Sequence, residues 1–153
     1  FEDLLTPVFG RHHACPLPCF SKHPDPKIWE PLGPHFYYNK KIITKSPDLM
    51  LVWTYHPVPD DVRAKRVEDI SKYDAAKAVK YQRHHPEAVL WNLDCKNRVV
   101  RMEEIIDFDS QGMALGRYRY DQKEWSGIVP GSAGDRLYRK VCTPRDQPVR
   151  KKK

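Results

Sequence analysis

The sequence predicts an α+β domain: a small antiparallel sheet with one or two packed helices, flanked by an extended Pro-rich N-terminal arm and a basic C-terminal tail. Three observations carry this expectation. Ten of the fourteen prolines fall in the first 59 residues. Strand-like apolar runs with a helical stretch between them occupy the middle of the chain. From Asp135 onward, eight basic residues stand against two acidic ones, so the last 19 residues carry +6 of the net charge of +7. The chain of 153 residues is one domain long. Its four tryptophans and 11% aromatic content argue against a wholly disordered polypeptide.

Residues 1–46 are predicted to form the arm. A helical turn or two over Phe1 to Val8 would end at Gly10. Cys15-Pro16-Leu17-Pro18-Cys19 and His23-Pro24-Asp25-Pro26 then favour extended backbone, because proline lacks an amide donor and fixes φ. Leu17, Phe20, Ile28, Trp29, Leu32, Phe36, Tyr37 and Tyr38 punctuate this stretch as anchors for a neighbouring surface, whether of this chain or of another. Residues 47–126 are predicted to form the α+β core. Leu49 to Tyr55 is a β-forming run that stops at His56-Pro57. Pro59-Asp60-Asp61 opens a helix with acidic residues in its first turn. Helical composition continues to His85, with a break near Ser71, where Ser71 and Asp74 resemble a capping box. Ala88 to Leu93 and Arg98 to Met102 form a hairpin across Asp94–Asn97. Glu103 to Phe108 fits either a helical turn or a further strand, and Met113 to Tyr120 alternates as a strand. Residues 127–153, opened by Gly127, Pro130, Gly131 and Gly134, are expected to be an irregular basic extension.

The most concentrated set of ligand-type side chains is His12-His13-x-Cys15-x3-Cys19-x3-His23. His13, Cys15, Cys19 and His23 would offer zinc four tetrahedral nitrogen and sulfur ligands, and a closed site of that kind would be structural. A Cys15–Cys19 disulfide or free thiols are the alternatives. His84-His85 fits a helix C-terminus, where imidazole suits the dipole. Glu103, Glu104, Asp107 and Asp109 form an acidic run that reads as a solvated edge or a docking site before a cation site. Arg117-Tyr118-Arg119-Tyr120 would stack bases and grip phosphates if the body were basic. Residues 1–134 carry only +1, so a half-buried strand with tyrosines inward is preferred. No nucleophile elbow, phosphate loop or dinucleotide fingerprint occurs, and a non-catalytic protein is expected.

No apolar run approaches the roughly 18 residues that cross a bilayer. The start at Phe1 suggests a removed leader or an incomplete N-terminus. From this organisation the sequence predicts a non-catalytic accessory subunit of a large mitochondrial respiratory-chain assembly, peripheral to the inner membrane. Its arm would drape over neighbouring subunits, and its tail would meet an acidic protein surface, lipid headgroups or RNA. The alternatives are a mitochondrial ribosomal protein contacting rRNA through the tail, and a small zinc-binding domain.

Overall fold

The computed structural model describes residues 25–121 and 124–142, and its first strands arise inside the Pro-rich stretch. β1 (Trp29–Gly33) and β2 (Phe36–Asn39) form a hairpin, and β3 (Ile43–Thr44) follows. Pro31 is accommodated because β1 is the first strand of the sheet, where a missing N–H leaves no ladder partner wanting. Trp29, Leu32 and Tyr38 are buried in this chain's own core. These three anchors therefore find their surface within the domain, while Leu17 and Phe20 lie outside the described residues.

β4 (Leu49–Pro57) is followed by α1 (Asp60–Ser71) and α2 (Ala75–Tyr81). The break predicted near Ser71 is present. The cap of α2 is Asp74, whose Oδ1 accepts from the backbone N–H of Lys77 at 3.0 Å. The expected extension of this helix to His85 is corrected: α2 ends at Tyr81, and His84 opens β5 (His84–Asp94). Pro86 is no helix stop but a strand residue opposite Pro57, at the end of the β4–β5 ladder.

β5 turns into β6 (Val99–Asp109), with the Asp94 carboxylate accepting from the backbone of Lys96 and Asn97, each at 3.0 Å. Glu103 to Phe108 is thus strand, continuous with the second arm of the hairpin. β7 (Ala114–Arg119) and the short β8 (Ser126–Gly127) complete an eight-stranded antiparallel sheet with order β1-β2-β4-β5-β6-β7. β3 pairs with β4, and β8 pairs with β6. The segment expected to be irregular holds α3 (Ala133–Val141), capped by Ser132, whose Oγ accepts from the Asp135 N–H at 3.2 Å.

Alternation along β4 divides the apolar residues between two faces. Met50 and Val52 join Leu93, Leu137, Tyr138 and Val141 beneath α3. Leu51, Trp53 and Tyr55 join Trp29, Ala88, Leu90, Ile106 and Phe108 on the other face. A third cluster of Ile70, Ala78, Tyr81 and Leu115 seats α1 and α2 against β7. Cys95, just past β5, is joined to Cys142 at the end of α3, with Cα atoms 5.4 Å apart and a sequence separation of 47. Closing a loop of that size removes about 4 kcal/mol of chain entropy from the unfolded state. The architecture is a small antiparallel sheet with packed helices, as the sequence predicts.

Candidate functional site

Register places the outer edge of β6 at the centre of the exposed chemistry. β7 pairs with residues 104–108 and β8 with residues 99 and 100, both on the same side of β6. Between them β6 is spanned by one backbone bond, from the Tyr120 N–H to the Glu103 carbonyl at 3.2 Å. A bulge at Leu90/Trp91 on the other side of β6 adds an irregularity at the same level. A cleft of about 450 Å³ opens at this break, lined by Trp91, Val100, Arg101, Met102, Tyr120, Glu124 and Ser126.

Arg101 is fixed at the cleft before any ligand arrives. Its Nε donates to Glu103 Oε1 at 2.9 Å, and Asn92 Nδ2 holds the same oxygen at 3.1 Å. The guanidinium lies 4.3 Å from the centroid of the Trp125 ring. Trp125, Tyr120 and Tyr118 remain 37%, 40% and 39% exposed. Aromatic side chains beside a positioned arginine form the composition that interfaces favour, since both give large contact area for few rotatable bonds.

The Arg117-Tyr118-Arg119-Tyr120 stretch does build a strand and its continuation, but its tyrosines are not the inward residues. Tyr118 Oη meets Tyr81 Oη at 2.9 Å and keeps its ring half in solvent. Arg117 and Arg119 lie across buried Glu104, with Nε–Oε1 distances of 2.6 and 3.6 Å. These arginines already have a carboxylate and do not present bare charge to a phosphate backbone.

The acidic run is dispersed by the pleat. Glu103 orients Arg101, Glu104 meets the two arginines, and Asp109 accepts from the backbone of Gln111 and Met113 in the β6–β7 turn. Asp107 points toward α2, where it accepts from Tyr81 Oη at 2.7 Å and lies 3.2 Å from His84 Nε2. Burial alone would raise the Asp107 carboxyl; bonds from His84 and Tyr81, with the nearby Arg66 charge, hold it below the usual carboxylate range. Burial, together with the bonds to Tyr118 and Asp107, pushes the Tyr81 hydroxyl far up. His84 has no exposed surface, so this cluster is closed to reactants and works as a polar lock for α1 and α2. Gly116 belongs to the lock: a Cβ there would come within 2.4 Å of the Tyr81 hydroxyl.

His13, Cys15, Cys19 and His23 lie outside the described residues. Among the described residues, no group of three or more metal-ligating side chains comes together. No helix among them is long and apolar enough to cross a membrane.

The sequence pattern of the Surface-adhesin protein E family matches residues 29–143, well over half of the chain. The chain belongs to that family. The match begins at the first residue of β1 and ends one residue past Cys142, so it spans the sheet, the three helices and the disulfide. No relative among curated proteins matches the chain. Membership in a surface-adhesin family corrects the expected mitochondrial respiratory-chain subunit, its inner-membrane location and its partner subunits, and removes the mitochondrial ribosomal alternative as well. The physical reason for the misreading is specific. Prolines, anchors and a charged tail report that segments need a surface, and here Trp29, Leu32 and Tyr38 find it inside the domain. Such features carry no address for a compartment.

Proposed function

We propose that this chain is a non-catalytic adhesive domain displayed at a cell surface, and that it engages its ligand along the broken outer edge of β6. The observation that carries this reading is the preset Arg101–Trp125 pair, with Tyr120 lining the same cleft, exposed on a chain of a surface-adhesin family. The Cys95–Cys142 bond supports work in an oxidising setting, where such links persist. The closed His84–Asp107–Tyr81 cluster supports a non-catalytic role, since its reactive groups are spent on holding helices in place.

Beads coated with the full chain should adhere to cultured cells. The Tyr120→Ala, Trp125→Ala pair should cut the number of attached beads by about tenfold or more without moving the thermal midpoint by more than a few degrees. Full adhesion by the pair would overturn the placement of the site. Failure of the unaltered chain to adhere would overturn the function.

A further inference from the structure

The outer side of α2 carries a surface that nothing in the fold uses. Ala78 and Tyr81 are buried against the sheet. Ala76, Val79, Lys80 and Arg83, spaced three and four residues apart, therefore share the opposite side and are exposed. Val79 is 63% exposed, and Tyr73, in the turn before the helix, is 72% exposed. An aliphatic and an aromatic side chain thus stand bare beside two cations.

Those cations differ from the other exposed ones on the domain. Arg117 and Arg119 lie across Glu104, and Lys65 and Lys72 lie across Asp69 at 3.4 and 3.5 Å. Among the described residues, neither Lys80 nor Arg83 has a carboxylate within ion-pair distance. The sequence explains why, since no acidic residue stands between Asp74 and Glu87. Both of those are engaged elsewhere. Asp74 Oδ1 accepts from the Lys77 backbone N–H at 3.0 Å, and Glu87 takes Arg66 at 3.2 Å. Lys77 adds a third positive charge, 5.3 Å from the centroid of the Tyr118 ring and 5.6 Å from that of Tyr81.

We infer that the outer side of α2 docks on a lipid bilayer bearing anionic phospholipid headgroups. Lys80 and Arg83 would meet the phosphates, and Tyr73 and Val79 would enter the headgroup layer. Unpaired cations give the charge complementarity, each one near an anionic surface adding attraction. Tyrosine suits the headgroup level because its ring is apolar and its hydroxyl stays wet. The outer side of a helix is convex, and a fluid headgroup layer closes around a convex surface without a matching cavity. A folded acidic protein would pair with the cations but would need a pocket for Val79 and Tyr73. The inference goes beyond the adhesive reading and does not depend on the Trp125 cleft.

The test is co-sedimentation of the full chain with vesicles made of phosphatidylglycerol and phosphatidylcholine in equal parts. The parent should bind these and bind vesicles of phosphatidylcholine alone far more weakly. Lys80→Gln with Arg83→Gln should weaken binding by about tenfold or more. Tyr73→Ser with Val79→Ser, which leaves the charge unchanged, should weaken it by about tenfold, and Val79→Trp should tighten it. The charge-matched pair Lys40→Gln, Lys41→Gln, between β2 and β3, should bind as the parent does. Equal losses from the two charge pairs would reduce the effect to net charge and overturn the site. Undiminished binding by the Tyr73, Val79 pair would overturn the bilayer in favour of an acidic macromolecule. No binding to the mixed vesicles would overturn the inference outright, while bead adhesion that depends on Trp125 would leave the adhesive reading standing.

Discussion

α3 and the α1–α2 pair cover opposite ends of one sheet face, and they are held by different physics. α3 buries Asp135, Leu137, Tyr138 and Val141 among nine residues, whereas α1 buries Ile70 alone among twelve. α3 is pinned covalently through Cys142, and its N-terminal turn is closed by Asp135, which accepts from the Gly131 N–H at 2.9 Å. The α1–α2 pair is held by a polar lock, with Arg66 reaching Glu87 at 3.2 Å and Tyr81 reaching Asp107. Apolar burial tolerates small shifts because it is non-directional. A buried hydrogen-bonded network does not, since losing one member leaves the others unpaired. One end of the molecule should therefore fail by loosening and the other by unlocking.

Breaking the covalent end should have the largest effect. Cys95→Ala with Cys142→Ala should cost about 4 kcal/mol, and the loss of amide-exchange protection should be greatest in α3. Protection lost first in α1 and α2 would show that the bond stabilises the sheet as a whole rather than its α3 end. Breaking the lock comes next. Asp107→Ala should cost about 3 kcal/mol in a denaturant titration, with Tyr81 and His84 both left without their partner. A cycle with Tyr81→Phe should show strong coupling, and additive losses would mean that the two side chains do not act together.

Acidification probes the ground between the two ends. His56 stacks on Phe36 at 4.6 Å and bonds Thr54 Oγ1 at 2.9 Å, and Thr54 in turn accepts from Trp91 Nε1 at 2.8 Å. Burial lowers the His56 imidazole to about 4. A histidine with a depressed value is neutral when folded, so its contribution is fully present above the unfolded value of about 6.5 and is lost as pH falls from there toward 4. The loss should reach about 2 kcal/mol, allowing for the part of the ring that touches water. His56→Gln should flatten stability over that window, and an unchanged slope would assign the acid sensitivity to other groups. The smallest effects sharpen the comparison. Ser132→Ala and Asp74→Ala each remove a helix cap and should each cost about 1 kcal/mol. The first should leave α3 in place, while the second should raise exchange at the N-terminal turn of α2, whose far end stays held by Tyr81 on Asp107.

The parts legible in the sequence were those where local pattern and tertiary burial agree. Leu49 to Tyr55 is apolar on both faces because both faces are covered, and Pro59-Asp60-Asp61 opens a helix by propensity alone. The hidden parts were those in which proline or glycine speaks against an element that tertiary context permits. Pro31 sits in an edge strand, and Pro86 stands opposite Pro57 where the ladder ends. Gly131 and Gly134 masked α3, although Ser132 followed by the spacing of Leu137, Tyr138 and Val141 was a usable signal. The cleft at β6 depends on Trp125 folding back on Arg101, a contact across 24 positions that no local pattern announces. The same holds for Cys95 and Cys142, which spacing alone does not single out from four cysteines.

The bond between those two cysteines also sets how the domain carries load. β5 lies inside the sheet between β4 and β6, and Cys95 follows its last residue directly. A pull on the chain beyond Cys142 is passed through sulfur to that interior strand, without first unwinding α3. Peeling the helix from its end is thereby short-circuited, and tension meets the two longest ladders of the fold together.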